Sequence, residues 1–289
     1  MRLRPRPEFF ALLAAMANGT IGSFNRFGFA AGATHNQIAF LKCCGAFLLL
    51  SALCLSQPEL RERLVLLRHR ARHFALLAFL GVFCLYFFET WAFAEAAIPL
   101  VSFLTYAAGG GTLVLSSLIL KEKVTLAKLI AFCLILAGVG LLYSHEGHMT
   151  GSRLGIILAL LGGLGYALFI FSAKLFTIGS GLPHLVWLFG FGSLYLSAPW
   201  VYYGFALPPL SAIWPVVALV ILPTIGGFWL TTKAIMGGNA GSVQVIETSD
   251  PLFASLMAFL LFGDTLSLVG SLGAALIMAG LLCALYKPS

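Results

Sequence analysis

Charge is what this chain has least of. Asp, Glu, Lys and Arg make up 9% of its 289 residues, against roughly 25% in an average soluble protein. A soluble core of this size could not absorb the 60% of residues that are hydrophobic; a bilayer can, provided the backbone bonds to itself. Chemical motifs are scarce as well. No GxxxxGK[ST] loop is present, which argues against ATP-driven work by this chain alone. The six cysteines (43, 44, 54, 84, 133, 283) lie in apolar runs without a CxxC pair, so they read as small apolar residues and not as a disulfide or zinc framework. His145-Glu146-Gly147-His148 is one residue short of HExxH and reads as solvated loop residues, with no metal or other cofactor expected. No nucleophile elbow or Ser/His/Asp set stands out, so no enzyme is expected. The apolar run after Arg2, Arg4 and Arg6 has no convincing Ala-x-Ala cleavage site and leads into further helices.

What the chain has instead is apolar runs of about 20 residues, each able to cross roughly 30 Å of hydrocarbon as a helix. Ten can be drawn: Phe9–Ala30, Asn36–Ser56, Phe74–Glu95, Pro99–Leu120, Leu126–Ser144, Leu154–Phe176, Pro183–Gly204, Ile213–Lys233, Ser242–Phe262 and Leu268–Tyr286. The formal charge of +7 sits at the ends of these runs, which favours membrane orientation over nucleic-acid binding. One side collects Arg2, Arg4, Arg6, the loop arginines 61, 63, 68, 70 and 72, Lys121, Lys123, Lys128 and Lys287; the other has a clear claim only to Arg153. Both termini are therefore expected in the cytoplasm.

The chain also repeats. Ser102–Leu126 lies under Gln244–Leu268 at a shift of 142 positions, and Leu134-Ile135-Leu136-Ala137-Gly138 lies under Leu276-Ile277-Met278-Ala279-Gly280. A second register, shifted by 148, places Arg26 under Lys174. Residues 1–147 and 148–289 then form two five-helix modules. An odd number of spans in each forces the second to run inverted.

Polar residues inside such runs are costly and need partners or a water-filled cavity. In the first half these are Arg26, Lys42, Glu89 and Glu95; in the second, Lys174, Lys233, Glu247 and Asp250, with the two acids within reach of the two lysines. Two readings stay open: ion pairs and snorkelling lysines that hold helices in register, or inner and outer gate charges. Asn18, Tyr86, Trp91, Ser102, Tyr106 and Tyr166 crowd the mid-depth of the first, third, fourth and sixth spans. Gln244, Glu247, Thr248 and Pro251 share a face of the ninth. Tyr106, Tyr166 and Asn18 are the strongest site candidates, because their polar tips would otherwise be stranded. Gly109 and Gly110 occupy the place that Pro251 takes in the other half, so both positions read as hinges.

Asp250-Pro251-Leu252-Phe253-Ala254 followed by Gly263-Asp264-Thr265-Leu266, together with Lys121-Glu122-Lys123-Val124, Ala137-Gly138, Ala279-Gly280, Arg26 and Lys174, resembles the drug/metabolite transporter superfamily in its EamA-type ten-helix branch. The resemblance implies an all-α membrane bundle of two inverted five-helix repeats around a central cavity. It implies a secondary-active transporter of a bacterial inner membrane, exporting amino acids or similar small zwitterions by alternating access. It also places Tyr106 and Tyr166 on the cavity wall. A proton-coupled exporter of drugs or cationic metabolites is the alternative, followed by a non-transporting subunit or a membrane enzyme. The expected partners are a small-molecule substrate and the lipid bilayer, with the chain a monomer or homodimer. Two departures, Gly109 for a first-half proline and Asn18 for a first-helix Trp, bear on substrate identity.

Overall fold

The computed structural model describes residues 6–96, 98–144, 152–204, 206–263 and 267–285. Among them there are helices and loops but no strand. The protein is an all-α integral membrane protein. In order, the first part contains α1 (Pro7–Asn18), α2 (Ile21–Ala30), α3 (His35–Ser56), α4 (Pro58–Leu66), α5 (Ala71–Ala78), α6 (Thr90–Glu95), α7 (Ile98–Ala107), α8 (Gly110–Leu118) and α9 (Leu126–Ser144). The second contains α10 (Arg153–Leu175), α11 (Leu182–Tyr202), α12 (Ile213–Leu219), α13 (Phe228–Gly237), α14 (Ala240–Glu247), α15 (Asp250–Phe262) and α16 (Leu268–Leu285). π-helical turns join α5 to α6 (Phe79–Glu89) and α12 to α13 (Val220–Gly227).

By length and composition, seven described stretches can cross a bilayer: His35–Ser56, Pro58–Glu95, Arg153–Leu175, Leu182–Tyr202, Leu210–Gly237, Ala240–Phe262 and Leu268–Leu285. They match seven of the ten runs drawn from the sequence. Of the other three, two are interrupted. The first run is cut at Gly19-Thr20, where a Cβ on Gly19 would lie 2.8 Å from Phe253 Cβ and 2.9 Å from the Ala254 nitrogen. The fourth is cut into α7 and α8. The fifth forms one uninterrupted helix, α9, over Leu126–Ser144. Arg2, Arg4, His145–His148, Asp264-Thr265-Leu266 and Lys287 lie outside the described residues. Gly263 ends α15 in the left-handed conformation, φ 71°, as a helix C-cap requires.

Helix pairing is the same when the two sets of five runs are exchanged. α9 packs along α16, and α3 along α11. α10 lies against the π-turn 79–89 and α7, while α1 lies against α13 and α14. The ends show that the cross-pairs are antiparallel. At one end of α10 the Ser152 nitrogen donates to Glu95 O (3.3 Å); at the other, Arg70 donates to Phe176 O and to Thr177 O (3.0 Å). Likewise the start of α1 meets the end of α13, where a Cβ on Gly238 would stand 2.8 Å from Pro7 Cβ.

The α9–α16 seam shows the symmetry atom by atom. A Cβ on Gly138 would lie 2.6 Å from Gly273 O and 2.8 Å from Ile277 Cγ1; on Gly280 it would lie 2.9 Å from Ala131 O and 2.7 Å from Ile135 Cγ1. Each of these partners is related to its counterpart by the same 142 positions. The two Ala-Gly pairs are reciprocal notches that let the backbones touch.

Candidate functional site

The cuts and π-turns lead to one place. A narrow cavity is lined by Asn18, Ile21, Leu85, Tyr86, Glu89, Thr105, Tyr106, Tyr166, Pro223 and Phe228. Leu85, Tyr86 and Glu89 come from one π-turn and Pro223 from the other. π-Turns widen a helix by one residue per turn and are often found at functional sites. Asn18 and Ile21 flank the first cut. The wall is mainly aromatic: Phe228 meets Tyr86 edge-on at 5.9 Å and Tyr166 at 6.4 Å.

Charge on the wall is one-signed. Among the described residues that line the cavity, Glu89 alone is ionisable as an acid or base outside the phenols. It is 6% exposed, and its Oε2 has no hydrogen-bond partner. Lys42 stands behind the wall, 1% exposed, with Nζ 3.4 Å from Thr90 Oγ1 and 3.9 Å above the Tyr86 ring. A cation on an aromatic face is held by the ring's quadrupole, and the charge of Lys42 is also close enough to act on Glu89.

The ninth span supplies the other acids, and their partners differ from those expected. Glu247 was placed within reach of Lys174 and Lys233; instead it takes hydroxyls. Tyr166 donates to its Oε2 (2.6 Å) and Thr231 to its Oε1 (2.7 Å), and the two hydroxyls lie 3.3 Å apart. Asp250 accepts from the Tyr106 hydroxyl. Lys174 donates to Ile235 O (3.0 Å) and Gly238 O (2.6 Å) at the end of α13, where exposed carbonyls attract a cation. Lys233 lies over the rings of Trp229 (4.2 Å) and Phe10 (4.8 Å). Long flexible stems explain both outcomes: span depth constrains the ammonium poorly.

Other candidates are sorted by the same geometry. Asn18, Tyr86, Glu89, Tyr106 and Tyr166 line the cavity as expected. Trp91 does not; it stacks on His35 at 5.4 Å and 6° and touches Phe87. Ser102 is half-buried and off the wall. Thr248 is fully buried, its hydroxyl donating to Gln244 O (2.8 Å) on its own helix. Gln244 is also buried, with Oε1 3.1 Å from Thr112 Oγ1. Arg26 is exposed and sits 4.2 Å above the Phe262 ring. Exposed Glu95 accepts from Ser152 Oγ (3.3 Å), the residue that caps α10.

The hinge candidates divide. A Cβ on Gly109 would lie 2.3 Å from Gln244 Nε2 and 2.8 Å from its Cδ, so this glycine is a notch for a side chain of the ninth span. Gly110 faces Phe132, 3.2 Å from such a Cβ. Pro251 occupies the first turn of α15. The break itself falls at Thr248-Ser249, where both hydroxyls bond back to their own helix, to Gln244 O (2.8 Å) and Ile246 O (2.6 Å); such back-bonding bends helices.

Sequence reasoning missed Ile21, Leu85, Thr105, Pro223 and Phe228 on the wall, and Thr231 behind it. Apolar residues in apolar runs carry no distinguishing signal; Pro223, inside a span, was the one legible hint. It also missed the role of Glu122. Lys121 adopts φ +54°, turning the chain so that Glu122 accepts from the nitrogens of Ala240 (2.9 Å) and Gly241 (3.1 Å). A carboxylate there satisfies the open donors of α14 and opposes its dipole.

A helical membrane protein whose broken and widened spans surround a polar-aromatic cavity has the architecture of a solute transporter. The chain belongs to the EamA-like transporter family, whose sequence model matches residues 6–144 and again 153–286. A relative from Archaeoglobus fulgidus, described as an uncharacterized transporter, is 27% identical over 278 residues, covering 96% of this chain and 95% of its own. One from Helicobacter pylori, described in the same words, is 31% identical over 183 residues, 60% of each chain. A solved crystal structure superposes with a TM-score of 0.77 over 96% of this chain and 98% of its own. At 17% identity, that likeness concerns the fold.

Proposed function

We propose that the protein is a secondary-active transporter that carries small amine-bearing metabolites with an apolar body, working by alternating access between two inverted five-helix halves, 1–147 and 148–289. The observation that carries this reading is Glu89 Oε2, buried on an aromatic wall without a hydrogen-bond partner. An ammonium group would satisfy it, and the faces of Tyr86, Tyr106, Tyr166 and Phe228 would take the apolar body. Among the described lining residues there is no cation for a substrate carboxylate, and Lys42 is engaged with the Tyr86 ring and the charge of Glu89. Amino acids therefore rank below simple amines, although they share the ammonium contact. The protein is placed in a bacterial inner membrane with both termini cytoplasmic, acting as an exporter, as a monomer or a homodimer.

Flux into proteoliposomes of three molecules with one ring and different charges tests the reading: 2-phenylethylamine, phenylalanine and 3-phenylpropionate. The amine should move fastest and the acid not at all, and Glu89→Gln should abolish amine flux. Faster movement of the acid, or indifference to Glu89→Gln, removes the proposal. Proton coupling is a second reading favoured by the same atom, because a buried carboxyl oxygen without a hydrogen-bond partner can exchange a proton for the substrate. It requires amine flux to follow an imposed pH gradient; equal flux with and without the gradient excludes it.

A further inference from the structure

We infer that Asp250 and Glu247 are positioning residues for the two tyrosines of the cavity, and that through them the break in the ninth span responds to what occupies the cavity. The inference rests on the reading of the cavity as the substrate site. Tyr106 and Tyr166 reach the wall from different helices, α7 and α10. Each sends its hydroxyl to a carboxylate of the same span, Tyr106 to Asp250 and Tyr166 to Glu247 (2.6 Å). Glu247 is the last residue of α14 and Asp250 the first of α15, so the two bonds straddle the break.

The local chemistry suits a coupled joint. Both oxygens of Glu247 accept from neutral hydroxyls, and Lys174 and Lys233 are engaged elsewhere. A hydroxyl can be exchanged for another donor more easily than a buried ion pair can be parted. Between the two acids, Thr248 and Ser249 bond back to their own turn. A phenol ring that swings towards a substrate takes its hydroxyl with it, and the carboxylate must follow or lose its donor. Because one acid belongs to each helix, either movement re-aims α14 against α15.

The test begins without substrate. Tyr106→Phe and Tyr166→Phe keep both rings and remove only the hydroxyls. In hydrogen exchange of the purified protein in detergent, the amides of Thr248, Ser249 and Leu252 should exchange about ten-fold faster in the double variant, with α9 and α16 unchanged. Unaltered exchange at the break overturns the inference whether or not any amine is carried, so this arm fails separately from the substrate reading. In proteoliposomes, Asp250→Ala and Glu247→Ala should each raise KM for 2-phenylethylamine about ten-fold at near-parental Vmax. Asp250→Asn and Glu247→Gln keep an acceptor and should return KM to within about three-fold. Amide variants as impaired as the alanine variants, or a loss confined to Vmax, overturn the positioning role. If an alanine variant does not fold, the two Tyr→Phe variants carry the same KM comparison.

Discussion

In the fourth span the helix parts at Ala108 and Gly109, where glycine leaves a notch that Gln244 fills. In the ninth it parts at Thr248 and Ser249, where two hydroxyls bend the chain and two acids anchor its ends. The breaks lie at nearly corresponding places in the repeat, yet one receives a neighbour's side chain and the other sends side chains out. Gln244, Glu247 and Asp250 follow one another at three-residue steps and reach Thr112, Tyr166 and Tyr106 respectively. The ninth span is thus the tied member of the pair and the fourth the shaped one. Duplicated sequence does not oblige the copies to break in the same way.

That contrast can be broken experimentally. The largest effect is expected from Gly109→Val, which sets a branched side chain against Gln244 and should destabilise the protein by about 2 kcal/mol, as overpacked sites do. Adding Gln244→Ala should recover part of the loss in a double-mutant cycle of thermal unfolding; strict additivity would mean that the notch is unrelated to Gln244. Glu122→Ala removes the cap of α14 and should cost about 1 kcal/mol, with Glu122→Asp intermediate. If α14 were held only by its far end, melting would not change. The smallest effect belongs to Pro251→Ala. Its missing N–H falls in the first turn of α15, where the donor would be open in any case. A change within about 0.5 kcal/mol is expected, with transport retained; straightening of the span and loss of flux would return the hinge to the proline.

The sequence carried the fold class, because backbone satisfaction in a bilayer leaves helices as the answer once charge is so sparse. The repeat at a shift of 142 was legible as well, and the contacts at Gly138 and Gly280 are reciprocal at that same spacing. Five cavity residues were legible for one reason: Asn18, Tyr86, Glu89, Tyr106 and Tyr166 are polar at a depth where polarity needs a purpose. Phe228 and Leu85 were invisible for the converse reason. The π-turns were invisible too, since an i→i+5 bond leaves no mark on an apolar run. The lysines were misassigned partners because sequence fixes where a stem begins and not where four methylenes end. Trp91, two residues beyond Glu89, packs on His35 and Phe87 and not on the wall.

The seam between α9 and α16 has a further consequence. Gly138 meets Gly273 and Ile277, and Gly280 meets Ala131 and Ile135, so each helix offers the other a notch at the same place. A joint of that kind does not require two sequences. It is the isologous contact that two identical helices make across a two-fold axis, in which each presents the same notch to the other.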